Sequence, residues 1–239
     1  MSYVIQLYII EQYKYIQNNY KLMKICLLLY GRIKYFKEHH SNLMSTISNF
    51  VYNSENQTNI DIFYSSDNEP ILELNEFIKL YNPKLYCNDL IVNTCDWKKY
   101  SGLRDETKID NMYKHFFNKK RVFNLALNYS IDNHFKYDLF ILTRLDIKYD
   151  TNIQLSVNNI VDDSIYIPSG YDYLNNAINN QIAIGKMTAV KKYTSLFDNV
   201  DYLLNHKLSI PHPESLNYAN ILFNCLQIVR FDLKYTIIR

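Results

Sequence analysis

Glycine, proline and cysteine are all scarce in this sequence, and these shortages exclude several classes of protein. With 4 Gly and 5 Pro in 239 residues, a collagen-like chain and an array of flexible linkers are excluded. The 4 cysteines form no Cys-x-x-Cys pair and are too few for a disulfide framework, so we expect reduced, mostly buried thiols in a cytoplasm-like compartment. The strongest apolar run, residues 25–30, is far shorter than the roughly 20 residues of a membrane span.

The sequence also lacks a large excess of charge of either sign. Lys plus Arg number 26 and Asp plus Glu 24, which leaves a formal net charge of +2. A dedicated nucleic-acid-binding protein would show a clustered basic excess, so we expect no nucleic-acid partner.

Abundant residues include 29 Asn, 23 Tyr and 20 Lys, which share A/T-rich codons. The Asn residues are scattered through apolar segments instead of forming tracts.

Short apolar runs alternate with segments of helical periodicity along the chain. The predicted strands are residues 25–30, 60–64, 84–87, 137–143, 164–168, 181–184 and 229–238. The predicted helices are 36–51, 70–81, 110–134, 186–197 and 213–226. This alternation predicts an α/β domain, residues 23–239, with a mostly parallel sheet and helices on both faces. Residues 1–22 are predicted to be an amphipathic lead-in.

Polar residues follow three of the predicted strands, in segments 30–32, 65–67 and 144–146. In parallel sheets, ligands bind beyond the carboxyl ends of the strands. The sequence therefore predicts that these three segments lie on one rim of the sheet and form the functional site.

The first two segments each leave two interpretations open. Gly31 permits close approach of the backbone to a ligand and Arg32 suits a phosphate group, but the two also fit an ordinary strand-to-helix turn. Asp67, following Ser65 and Ser66, fits either an acceptor for a ribose or uracil edge or a helix cap. Neither a dinucleotide fingerprint nor a phosphate-binding P-loop is present.

Three further positions carry candidate chemistry. Asp146 at a strand end fits a divalent cation held against a diphosphate, with Arg144 neutralising phosphate charge; the alternative is a surface ion pair. His212, just before a predicted helix, fits either a metal ligand or a helix cap. The loop around Asp172 and the stretch 179–181 offer hydroxyl and amide groups for contact with a sugar.

The order of these motifs resembles a family of small glycosyltransferase-like proteins of large DNA viruses that have a GT-A type, Rossmann-like fold. The resemblance extends from about residue 24 to the end. Its most specific part is the strand 137–143 followed by Arg144-Leu145-Asp146. Its other parts are Tyr30-Gly31-Arg32, residues 61–63, 112–117 and 181–187, His212-Pro213-Glu214 and residues 235–239.

The resemblance implies a metal-assisted glycosyltransferase. It implies a UDP-sugar or GDP-sugar donor, Mn²⁺ or Mg²⁺, a glycan or glycoprotein acceptor, and a possible homodimer. It also implies a location in the host cytoplasm or a viral factory and not in the secretory pathway.

Carried over by position, the resemblance assigns roles to individual residues. Asp146 corresponds to the metal-binding acid of a DxD-type motif whose first Asp is replaced by Arg144, and His212 to a second metal ligand. The nucleotide cradle corresponds to Tyr30, Gly31, Arg32, Ser65 and Asp67.

The catalytic base is left open, with Asp172 and Glu214 as candidates. Asn180 stands where related sequences tend to have an acid, which motivates an alternative: a non-catalytic nucleotide-sugar-binding or structural viral protein of the same fold. A nucleotidyltransferase is a further alternative, but the Gly- and Lys-rich phosphate loop expected near its first strand is missing.

Overall fold

A computed structural model describes residues 22–52, 58–92, 99, 106–172 and 175–238. The strands are β1 Met23–Tyr30, β2 Thr58–Ser65, β3 Leu85–Cys87, β4 Leu139–Arg144, β5 Ile147–Tyr149, β6 Ser164–Pro168, β7 Ile182–Gly185, β8 Gln227–Phe231 and β9 Tyr235–Ile237. The α-helices are α1 Phe36–Tyr52, α2 Ile71–Tyr81, α3 Glu106–Asp132, α4 Met187–Thr194, α5 Leu196–Asn205 and α6 Pro213–Phe223.

Seven strands form the central sheet, in the order β3-β2-β1-β4-β7-β6-β8. Strands β1 to β4 are mutually parallel, β7 is antiparallel to both β4 and β6, and β8 is parallel to β6. Six strands therefore run in one direction and β7 in the other. The predicted fold class is confirmed: the described residues form one α/β domain with a mostly parallel, Rossmann-like sheet.

Both faces of the sheet are covered, which explains why β1, β4 and β7 carry continuous apolar runs. Along β1, Ile25, Leu27 and Leu29 pack into a core beneath α1 and α2. The intervening residues Cys26 and Leu28 pack into a second core beneath α3, α4 and α6. This alternation follows from the two-residue period of a strand.

A small second sheet positions the end of β4. Strands β5 and β9 pair antiparallel, and only Leu145 and Asp146 separate β4 from β5. Leu145 is buried, and the backbone carbonyl of Asp146 accepts a hydrogen bond from the backbone N–H of Ile238 at 2.9 Å. The turn that carries Asp146 is thus fixed from both sides.

Two of the predicted elements are each divided into two in the structure. The predicted helix 186–197 is two helices, α4 and α5, which meet at Ser195. The predicted strand 229–238 is also two strands, because β8 pairs with β6 in the central sheet whereas β9 pairs with β5 in the small one. Cys225 is exposed, so the thiols are less uniformly buried than predicted; among the described cysteines, Cys26, Cys87 and Cys225 are free.

The predicted lead-in, residues 1–22, lies almost wholly outside the described residues. Among the helices that the structure describes, none is both long and apolar enough to cross a membrane.

Candidate functional site

A cleft of about 420 Å³ opens at the carboxyl ends of β1, β2 and β4. The strand ends contribute Tyr30, Gly31, Arg32, Asp67, Arg144 and Asp146 to its lining. Helix α3 contributes Asn111, Lys114, His115 and Asn118. The volume lies within the range of about 300–1,000 Å³ that is typical of small-molecule sites.

Strand register brings the predicted segments together. Tyr30, the last residue of β1, pairs with Ser65 at the end of β2 and with Arg144 at the end of β4. Three neighbouring parallel strands therefore stop at the same level, and the residues that follow them meet at one edge. The predicted convergence of the three segments on one rim is confirmed.

The turn after β1 depends on a glycine. Gly31 has a φ of +93°, a conformation that other residues rarely adopt. Its N–H donates to the Ser65 carbonyl at 3.0 Å, and its carbonyl accepts from the Tyr64 hydroxyl at 2.8 Å. The turn is thereby joined to β2, and it directs the exposed Arg32 to the mouth of the cleft.

Arg144 and Asp146 form a two-pronged ion pair in the cleft. Arg144 Nε donates to Asp146 Oδ1 at 2.8 Å, and Nη2 donates to Oδ2. Both side chains are about a quarter exposed. Burial of Arg144 opposes its charge, but the hydrogen bonds and the charge of Asp146 raise the pKa of Arg144. The guanidinium is therefore a permanent cation at the centre of the cleft.

Asp67 lines the cleft, whereas Ser65 does not. The carboxylate of Asp67 accepts from the backbone N–H of Ile91 at 2.7 Å and forms an ion pair with Lys114 at 2.8 Å. Helix α2 begins after Pro70 without a side-chain cap, so Asp67 is not a helix cap. Ser65 is fully buried, bonded to Asn118 Oδ1, and is not a lining residue of the cleft.

Sequence reasoning missed the wall that α3 forms. Asn111, Lys114, His115 and Asn118 recur at the i, i+3, i+4 and i+7 spacing that places residues on one face of a helix. Reading the polar residues of this helix with the same period as its apolar ones would have found this stripe.

A buried lysine lies beneath the cleft. The Nζ of Lys119 donates to the Asn180 carbonyl at 2.6 Å and to the Tyr193 hydroxyl at 3.3 Å. Burial, followed by the charge of Arg144, lowers the pKa of Lys119 well below its usual value. Burial, Lys119 and Arg144 likewise lower the pKa of His115. Burial is thus the main cause of both shifts, and nearby positive charge adds to each.

The candidate bases and the second metal ligand are engaged elsewhere. Asp172 accepts from Arg230 and from the backbone N–H of Asn179. His212 precedes α6 without a side-chain capping bond, and its Nδ1 lies 3.1 Å from Glu214 Oε2. Neither of the two candidate bases, nor His212, is among the described residues that line the cleft.

The stretch 179–181 is buried, and its polar groups bond within the protein. Asn179 Nδ2 donates to the Tyr235 hydroxyl at 2.6 Å, and the Asn180 carbonyl accepts from the Tyr30 hydroxyl at 3.1 Å. Asn180 itself is 2% exposed. These residues support the cleft from behind, and none of the three is among its described lining.

The donor atoms of the cleft fit a divalent cation poorly. Hard cations take oxygen ligands, and here the carboxylates of Asp67 and Asp146 are each already paired with a cationic side chain. Across the described ranges, no group of three or more His, Cys, Asp or Glu side chains is placed to hold a metal ion. Of the predicted pair of metal ligands, Asp146 is among the described residues that line the cleft and His212 is not.

No protein-family model matches the chain, and no curated protein matches it either.

Proposed function

We propose that this chain is a glycosyltransferase that binds a nucleoside-diphosphate sugar in the cleft and transfers the sugar to an acceptor hydroxyl. The observation that carries the proposal is the cleft itself. It lies where parallel strands end, and its described lining holds four cationic side chains against two carboxylates. The resemblance of the motif order to GT-A type enzymes supports the same function.

The positive lining suits a diphosphate. Arg32 and Arg144 offer planar guanidinium groups, which form two-pronged hydrogen bonds with phosphate oxygens, and Lys34 and Lys114 add point charges. The amides of Asn111 and Asn118 and the carboxylate of Asp67 offer neutral and acidic partners for a ribose or a base. A nucleoside diphosphate has all of these groups.

In the transfer step, the bond between the anomeric carbon and the β-phosphate oxygen breaks, and the diphosphate leaves with the electron pair. A bond from the acceptor oxygen to the anomeric carbon forms, and the hydroxyl proton passes to a base. Negative charge develops on the diphosphate, so the cations around it stabilise the transition state more than the ground state. Arg144, fixed by Asp146, is positioned in advance for this purpose.

A binding protein without catalysis is the second candidate, and one observation favours it. Each lining carboxylate is engaged in an ion pair, and the candidate bases Asp172 and Glu214 lie outside the described lining. A protein that binds a nucleotide sugar needs no base, so this geometry is sufficient for binding alone.

Calorimetry with UDP, GDP and their sugars tests the proposal, in buffers containing either EDTA or Mn²⁺. A ligand at 100 times its dissociation constant adds about 2.7 kcal/mol of stability, so the melting temperature should rise measurably as well. Arg32→Gln should weaken binding about tenfold, as expected when a charged hydrogen bond is lost. Lys37→Gln is the matched control, because Lys37 pairs with Glu76 on the exposed surface.

Turnover separates the two candidates. A transferase should release nucleoside diphosphate slowly by hydrolysis of the donor and should label one or more members of a glycan panel. Tight binding with neither hydrolysis nor transfer would leave the binding protein. Absence of nucleoside-diphosphate binding in both buffers would reject both candidates.

A further inference from the structure

The carboxylate of Asp146 is already paired before any ligand arrives. Both carboxylate oxygens of Asp146 accept hydrogen bonds from the guanidinium of Arg144. A divalent cation that bound Asp146 would have to share it with Arg144, at a distance where like charges repel. Metal binding at Asp146 would therefore require the ion pair to open.

Further cations surround this pair. Lys114 lies 2.8 Å from Asp67 and 3.2 Å from Asp110, and it faces the cleft together with Arg32 and Lys34. These side chains come from the turn after β1 and from α3, and they line the same cleft as Arg144. A diphosphate placed there meets cations in several directions.

We propose that the protein neutralises the diphosphate with these side chains and needs no divalent cation, with Arg144 in the position that a metal ion would otherwise occupy. This inference rests on the proposed function, and it replaces the metal-assisted step that the sequence predicts. Asp146 then acts as a positioning residue that holds the guanidinium in place.

The full-length chain can be tested with three probes: UDP, GDP and inorganic pyrophosphate. Affinity is measured by calorimetry in EDTA, in Mn²⁺ and in Mg²⁺. We expect the tightest nucleotide to bind in EDTA with a dissociation constant within about threefold of that in Mn²⁺, a difference of under 1 kcal/mol. Binding that requires Mn²⁺ or Mg²⁺, or that tightens more than about tenfold with either, would overturn the inference and leave the proposed function intact.

The measurements with pyrophosphate distinguish failure of the proposed function from failure of the metal-free inference. Pyrophosphate binding in EDTA without binding of either nucleotide would reject the proposed function and keep the metal-free phosphate site. Absence of binding by all three probes in every buffer would reject both.

Arg144→Gln sharpens the test, because it removes the guanidinium and frees Asp146. In EDTA its affinity for UDP or GDP should fall about ten- to one-hundredfold, as expected for loss of hydrogen bonds to a charged group. Mn²⁺ should then restore part of the affinity, although it has no such effect on the wild type. Unchanged affinity in EDTA would contradict the role of Arg144.

Three further variants complete the test. Lys114→Gln removes a cation from the other wall and should also weaken binding in EDTA. Arg230→Gln breaks the Arg230–Asp172 pair outside the described lining of the cleft, and it should bind like the wild type. Asp146→Asn distinguishes the two models, since it should keep metal-free binding within about tenfold, whereas a metal ligand could not be lost without abolishing binding.

Discussion

Two Arg–Asp pairs of the described residues differ in geometry and in surroundings. Arg144 bonds Asp146 through Nε and Nη2, whereas Arg230 bonds both oxygens of Asp172 through Nη2 alone. Arg144 and Asp146 are two residues apart in the chain, lie in the cleft and have further cationic side chains around them. Arg230 and Asp172 are 58 residues apart, and they join β8 to the loop that follows β6. The second pair is more exposed, and Asp172 also accepts from the backbone N–H of Asn179. The two pairs therefore differ in what surrounds them: on the proposed function only the first faces a ligand, whereas the second attaches a loop to β8.

Charge reversal should separate the two pairs most strongly. Arg144→Glu replaces the central cation of the cleft with a second carboxylate beside Asp146. Nucleoside-diphosphate affinity, measured by calorimetry, should fall at least about thirtyfold, because loss of one member of a close charge pair costs about 2–5 kcal/mol. Arg230→Glu should change the affinity by less than about threefold. Equal losses in the two variants would mean that the pairs do not differ in function.

The protein should be more stable without the buried cation Lys119 beneath the cleft. Lys119→Met removes a charge that burial and Arg144 both disfavour, and its two acceptors keep other donors. The Asn180 carbonyl still accepts from Tyr30, and the Tyr193 hydroxyl still accepts from Asn217. We expect about 1–2 kcal/mol of added stability, or a rise of roughly 2–8 °C in melting temperature.

Lys120→Met is the control for that measurement. Lys120 is the next residue along α3 and pairs with Asp198 at the surface, so its replacement should change stability by about 0.5 kcal/mol or less. A melting temperature that falls in Lys119→Met would show that the buried ammonium stabilises the fold.

The burial of His115 should also appear as acid sensitivity. Burial, Lys119 and Arg144 lower the pKa of His115 in the folded protein, so the unfolded chain binds more protons below about pH 6.5. Stability contributed by neutral His115 is therefore present above pH 6.5 and is lost as the pH falls towards the lowered pKa. Between pH 7 and pH 5, the wild type should lose more stability than His115→Gln, by up to about 2 kcal/mol in urea unfolding.

If His115→Gln follows the wild-type pH profile, then the cleft does not disfavour a proton on His115.

The smallest effect is expected at the pair outside the cleft. Arg230→Gln should lower the free energy of unfolding by about 0–1 kcal/mol, since exposed ion pairs contribute little. Asp172 keeps its bond to the backbone N–H of Asn179, so the loop retains one of its attachments. A loss of several kcal/mol in urea unfolding would show that this pair contributes more to stability than its exposure indicates.

Much of the rim could be predicted because its positions depend on strand ends. Continuous apolar runs fix where β1, β2 and β4 lie, and the polar residues directly after them must reach the same edge. Gly31, Asp67 and Asp146 were located in this way. His212 and Asp172 were also predicted for the site, but their contacts lie with Glu214 and Arg230, and spacing along the chain carries no information about either pairing.

The sequence by itself determined the alternation of strands and helices, the two-sided burial of the sheet and the edge at which the candidate site lies. These properties depend on apolar periodicity over a few residues, so they can be read locally. The tertiary structure decided that the polar stripe of α3 faces the strand ends, that Lys119 is buried beneath Arg144, and that residues 229–238 divide between two sheets. Those outcomes depend on contacts between residues that are far apart in the chain, and only the packed fold brings them together.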